Sequence, residues 1–349
     1  MSQTSIQALA GQIAQVARET EFSGVVAIYQ ADSPLYEQAF GYRDIPNQIP
    51  NSPATRFGIA SGTKLFTALG IGRLIDGGLL RLETQVGELS PDYAGFIDPR
   101  ATIRSLLTHT SGIYDYYDEE IDQDFDNFFV AIPWYRLETP LDYWPLFAGQ
   151  VAKFQSGARF SYSNGGYVFL GMLIEKISGQ LFRDFMQEQV FQPAHMAQTG
   201  FYALNNLPAN TALGYLEDRA TTNIYNLPLR GGGDGGLFTT AEDLRSFWQQ
   251  LFSHRILSPP LTADFLQTHY RFDDKSGYGC GLYKRLDDSQ FVIVGGDAGV
   301  GFDSRYLVKQ KITVSILSNI TNGEEEMRRV IMDFFGICSV SSAGLPLIV

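Results

Sequence analysis

The chain has 349 residues, of which 44% are hydrophobic and 18% charged, and its formal net charge is −12. That apolar content supports a large core, and the length points to one domain with a large insertion or to two intimate subdomains. The acidic balance, with no basic run, excludes a nucleic-acid backbone as partner.

The opening segment puts Ile6, Leu9, Ile13 and Val16 at helical spacing, which predicts an amphipathic helix. It has no basic region followed by an apolar run, and no stretch reaches the apolar length of a membrane span. The expectation is a cytoplasmic protein without a membrane partner. Two strand-like runs follow, Gly24 to Tyr29 and Leu35 to Gly41. A helix is predicted from about Ser61 to Ile75, stopped by Gly77-Gly78, and a short one over residues 102–109.

Residues 113–150 differ in character. They carry nine acidic residues, at 115, 118, 119, 120, 122, 124, 126, 138 and 142, against one basic residue, Arg136. Many aromatic residues lie among them and require burial, so this segment reads as a lid-like insertion. A helix is expected from Gly165 to Ile177, with Asn164 as its cap, and another after Thr240. From Gly277 the pattern is strand-like with short turns, as in antiparallel hairpins, and Glu324 to Phe335 closes the chain as a helix. Both chain ends then build one sheet around a helical middle. The expected organisation is a sheet subdomain over residues 1–60 and 270–349, and a mainly helical subdomain over residues 61–269.

The chemistry concentrates in two places. Ser61 opens a helix, and Lys64 follows three residues later on nearly the same face. A serine hydroxyl needs a neighbour to take its proton, and a partly desolvated lysine amine can do so. Alone, the pair reads equally as a helix cap with a lysine reaching to solvent. In Phe160-Ser-Tyr162-Ser-Asn164, the tyrosine and the asparagine project to one side of an extended turn. Tyr162 would relay a proton, and Asn164 would hold a substrate carbonyl.

With both segments in view, the sequence resembles the serine β-lactamase and penicillin-binding-protein superfamily, in particular its class C, esterase and D-aminopeptidase-like branch. The resemblance rests on Phe57-Gly-Ile-Ala-Ser61-Gly-Thr-Lys64, Leu106-Leu-Thr-His109-Thr-Ser-Gly112, Gly157-Ala-Arg-Phe-Ser-Tyr162-Ser-Asn164 and Gly235-Gly-Leu-Phe-Thr-Thr-Ala-Glu-Asp243, in that order. It implies an α+β fold: an antiparallel sheet flanked by helices, an all-helical part beside it, and the site between them. It also implies acyl transfer through a Ser61 acyl-enzyme, with Lys64 as base and Tyr162 as its partner.

One motif departs from the family. A final strand there usually carries Lys-Thr-Gly or His-x-Gly, whereas Val294-Gly295-Gly296-Asp297 offers no cation. Gly295 and Gly296 still permit close approach of a substrate, and the Asp297 N–H is expected to join that of Ser61 as an oxyanion donor. Without the cation, recognition of a substrate carboxylate is in doubt.

Other features read as structural. His109 is taken as a hydrogen-bonding residue, and the Gly231 to Gly236 match to a dinucleotide fingerprint as a flexible loop at the cleft edge. Asp122-x-Asp124-x-Asp126 lacks the glycine and the glutamate of a calcium loop and reads as a solvated acidic face. The four histidines and two cysteines show no zinc spacing, and Cys280 and Cys338 read as buried free thiols. No cofactor or metal is expected.

The function expected is therefore hydrolysis of a small-molecule ester, amide or peptide, as by an esterase or a D-amino-acid amidase. β-Lactamase, D,D-carboxypeptidase, transacylase and a non-catalytic binding protein of the same fold stay open as alternatives. The acidic insertion suggests cationic or amine-bearing substrates. The oligomeric state is not legible.

Overall fold

Val25 and Ala27 pack into one core, and Val26 and Ile28 into another. Successive side chains of a strand point to opposite faces, so a strand apolar on both needs cover on both. The computed structural model, which describes residues 3–336 except Ala94, supplies that cover.

Helix α1 (Gln3–Glu19) leads into strands β1 (Gly24–Gln30) and β2 (Ser33–Phe40). The chain then leaves the sheet, forms helices α2 (Thr63–Asp76), α3 (Asn164–Ser178) and α4 (Ala241–Phe252), and returns. The return comprises β3 (Tyr270–Arg271), β4 (Ser276–Tyr278), β5 (Tyr283–Arg285), β6 (Gln290–Asp297), β7 (Val300–Leu307), β8 (Ile312–Ser318) and helix α5 (Glu325–Phe334). The sheet order is β2-β1-β8-β7-β6-β5-β4-β3, and every neighbouring pair is antiparallel. The amino-terminal strand thus sits inside a sheet finished by the far end of the chain.

Helices α1 and α5 cover one face, where Leu9, Ile13 and Ile331 meet Val26, Val314 and Ile316. Helix α4 lies on the other, and Trp248 Nε1 donates to Ser304 Oγ at 3.0 Å. Its cap is Thr240, whose side chain accepts from the Asp243 N–H. Helix α2 is buried from Thr63 through Gly72 and packs against α3, as expected of a helix apolar all round.

Three local expectations change. Ser61 sits in a 3₁₀ turn, Ala60–Gly62, immediately before α2 rather than in its first turn. The cap of α3 is Ser163, whose side chain accepts from the Gly166 N–H, while Asn164 is the first helical residue. The glycine-rich loop at residues 231–236 is clamped rather than free. A Cβ on Gly233 would lie 2.1 Å from the Tyr167 carbonyl oxygen, and Thr67 Oγ1 donates to the Gly233 carbonyl at 2.7 Å.

The only helical segments in residues 113–150 are single turns, Trp134–Arg136, Pro140–Tyr143 and Trp144–Phe147. Tyr117, Phe125, Trp134, Tyr143 and Phe147 are nonetheless buried. Asp126 is not simply solvated: it accepts from the Glu217 N–H and from Thr321 Oγ1. Cys280 is a buried free thiol, and Cys338 lies outside the described residues. Among the described residues, no helix is long and apolar enough to cross a membrane.

Candidate active site

Ser61 stands where β6 passes under the 3₁₀ turn. Ala60 holds φ at 43°, a conformation costly for a residue with a side chain, and this bends the chain sharply ahead of Ser61. Gly295 makes the approach possible, since a Cβ there would lie 2.1 Å from the Ile59 carbonyl oxygen and 2.9 Å from the Ser61 nitrogen.

Lys64 lies one turn further on and is fully buried. Its Nζ is 2.8 Å from Ser61 Oγ, 2.7 Å from Asn164 Oδ1 and 2.9 Å from the Asp234 carbonyl oxygen. Two of these partners are pure acceptors, and the third is a hydroxyl that can donate or accept. A neutral amine would therefore give its two hydrogens to Asn164 and Asp234 and turn its lone pair to the Ser61 hydroxyl. Burial lowers the pKa of Lys64, while Asp234, Glu119, Asp115 and Asp297 pull it back up.

Tyr162 arrives from the segment before α3. Burial pushes its phenol well above the usual range, the nearby Glu119 adds to this, and a hydrogen bond with Ser61 opposes it. At neutral pH it is therefore a phenol rather than a phenolate. Lys64 Nζ lies 4.8 Å from the centre of the Tyr162 ring. His109 also packs against this ring, ring centre to ring centre at 4.4 Å. Its Nδ1 accepts from the Ser163 N–H at 3.1 Å, and its Nε2 faces the Tyr278 hydroxyl at 3.1 Å. Burial keeps the imidazole neutral, so His109 acts as a positioning residue.

Asn164 is oriented by its own bonds. Its Nδ2 donates to the Tyr117 carbonyl at 3.0 Å and to Glu119 Oε1 at 2.9 Å, which aims Oδ1 at Lys64. Asp115 accepts from the backbone N–H groups of Asn164, Gly165 and Tyr117, at 2.8, 2.7 and 3.2 Å. It thereby satisfies two open donors at the start of α3 and ties the insertion to the site. Burial raises its pKa to about 7, against these bonds.

The hairpin register corrects one expectation. Asp297 pairs with Val300 across the two-residue turn Ala298-Gly299, so its N–H belongs to the hairpin. Alternation then turns the Gly296 N–H away from β7. On that edge β6 pairs with β5 only at Phe291 and Val292. The free N–H beside Ser61 is thus that of Gly296.

Sequence reasoning identified Ser61 with Lys64, and Tyr162 with Asn164, in two separate segments, and the structure brings the segments together. It missed Asp115, Glu119 and Asp234. The run of acids from 115 to 120 was a visible signal, but it registered as charge rather than as aimed side chains. The Asp234 carbonyl carried no signal at all.

This fold, with a serine, a lysine and a tyrosine meeting at the sheet edge, defines the serine β-lactamase and transpeptidase class. The chain belongs to the Beta-lactamase family, whose sequence model matches residues 9–333. It is similar to Penicillin-binding protein 4* of Bacillus subtilis (strain 168), with 32% identity over 253 residues, 68% of this chain and 54% of that one. The chain thus spans about half the length of that curated relative. A penicillin binding protein from Bacillus halodurans superimposes with a TM-score of 0.87 at 36% identity, covering 93% of this chain and 100% of that one. A D-amino acid amidase from Ochrobactrum anthropi SV3 shares the fold, with a TM-score of 0.74 at 21% identity over 95% of this chain and 98% of that one.

Proposed function

We propose that the protein is a serine hydrolase that cleaves an ester or amide through an acyl-enzyme on Ser61. The observation that carries this is the Lys64 amine at 2.8 Å from Ser61 Oγ, with its other two contacts both pure acceptors. In the first step, Ser61 Oγ attacks the substrate carbonyl and its proton passes to neutral Lys64. The oxyanion is met by the Ser61 and Gly296 N–H groups. Tyr162, held as a phenol, gives its proton to the departing alcohol or amine and is reprotonated from Lys64. Water then attacks the acyl-enzyme, and its proton returns by the same groups.

An esterase or amidase is favoured over a β-lactamase or D,D-carboxypeptidase. Those activities act on carboxylate-bearing compounds, and the cavity beside Ser61 has no Lys, Arg or His among its lining residues. The contacts of Lys64 with Ser61, Asn164 and the Tyr162 ring speak against a retired binding protein.

Labelling with a fluorophosphonate, followed by intact mass, tests the reading. One adduct on the wild type and none on Ser61→Ala is expected. A panel of 4-nitrophenyl esters should lose turnover by at least about a thousandfold in Ser61→Ala. Equal labelling of both proteins would overturn the assignment.

A further inference from the structure

A cavity of about 210 Å³ opens beside the nucleophile turn, from Ala60 and Asp234 to Asp297. Tyr143, Leu207, Leu213, Ile224 and Leu227 form much of its apolar wall. Its charged lining residues are two aspartates, Asp234 and Asp297. The nearby ammonium cannot serve them, because Lys64 Nζ is committed to Ser61, Asn164 and the Asp234 carbonyl. The Asp234 carboxylate is met by the Tyr116 hydroxyl at 2.5 Å. The Asp297 carboxylate accepts, among the described residues, a single hydrogen bond, from the Ala298 N–H at 2.9 Å. A carboxylate has about four acceptor sites, so most of its capacity remains open.

The carboxylate is also held in place. Asn223 Nδ2 donates to the Ala298 carbonyl at 2.8 Å, and the Gly299 N–H donates to Thr321 Oγ1 at 2.7 Å. Thr321 in turn donates to Asp126 of the insertion at 2.8 Å. Gly299 takes φ at 71°, and a Cβ there would meet Asn223 Nδ2 at 2.8 Å, so the turn is pinned from outside. A rigid, half-buried carboxylate with no ion pair among the described residues, beside an apolar cavity, is poised for a cation.

We propose that Asp297 binds the primary ammonium of the substrate while the cavity takes an apolar side chain, so that the acyl group transferred to Ser61 is an amino acid with a free amino group. The proposal rests on the hydrolase reading above and adds the identity of the acyl group. Asp297 directly follows Val294-Gly295-Gly296, the triplet that opens with a cation in the family. Here the sign is reversed: ammonium is attracted and carboxylate repelled.

The test is calorimetric binding of three matched ligands to the wild-type protein: 2-phenylethylamine, 2-phenylethanol and 3-phenylpropionate. The amine is expected to bind at least about tenfold tighter than the alcohol, as for a hydrogen-bonded charge pair, and the carboxylate weakest. In Asp297→Asn the advantage of the amine should disappear, and in Asp297→Glu it should persist. Stronger binding of the carboxylate, or an amine advantage that survives in Asp297→Asn, would overturn the proposal. The wild-type order stands even where a variant fails to fold. Since binding needs no turnover, a protein that binds the amine but leaves phenylalanine 4-nitrophenyl ester intact would sink the hydrolase reading alone.

Discussion

On one side of the cleft, Ser61 and Lys64 lie three residues apart, and the 3₁₀ turn running into α2 brings amine to hydroxyl. On the other, Asp115, Tyr117 and Glu119 lie in a segment whose first helical turn begins at Trp134. They reach the site through side-chain bonds to the start of α3. The first wall is set by backbone periodicity and buried apolar contacts, which tolerate many sequences. The second is set by individual polar bonds, each of which matters by itself. A helix can therefore lose a neighbour and keep its geometry, whereas the insertion has few redundant anchors.

Asp115→Ala puts that contrast under the greatest strain. It leaves three backbone N–H groups without their acceptor, two of them at the head of α3. A loss of about 2–3 kcal/mol is expected in the denaturant midpoint, together with reduced ester turnover as Asn164 loosens. A change below about 0.5 kcal/mol would mean that the insertion is anchored by its rings instead.

Asp297→Asn acts in the opposite direction. Burial, helped by the Asp234 and Glu119 charges, raises the pKa of Asp297 to about 7, although the Ala298 N–H and Lys64 lower it. Between the ordinary carboxylate range and pH 7, the folded protein holds a proton that the unfolded chain has released. Stability then falls as pH rises through this window. The variant should be more stable than wild type by about 1–2 kcal/mol at pH 8, after discounting for partial exposure, and no more stable near pH 4. Thermal melts at both pH values check this, and a gain confined to acid pH would refute it.

Arg159→Ala is the mildest probe. Its two bonds to Glu120, at 2.7 and 3.0 Å, join side chains that are 48% and 42% exposed. A cost within about 0.5 kcal/mol is expected in the same melts. A larger one would show that the outer rim of the insertion is as taut as its inner edge.

Much of the cleft was legible before folding. The helical spacing of Ser61 and Lys64, the order of the motifs and the strand-rich end of the chain all rest on local pattern. The cap of α3 was misplaced by one residue, since serine and asparagine serve equally well and only the turn geometry selects Ser163. The free N–H beside Ser61 was placed one residue too late for a similar reason. Which of two adjacent N–H groups faces Ser61 depends on hairpin register, and register follows from the partner strand.

What the sequence determined by itself was the set of reactive groups and the sheet-and-helix plan that carries them, because short-range periodicity and apolar patterning are written along the chain. Only the tertiary structure decided how Lys64 shares its contacts, that Asp115 and Glu119 serve the site rather than the solvent, and that Asp297 lines an apolar cavity with no ion pair among the described residues. Those outcomes depend on distances between residues 45 or more positions apart in the chain, and burial sets the charge of each group only after the chain has closed around it.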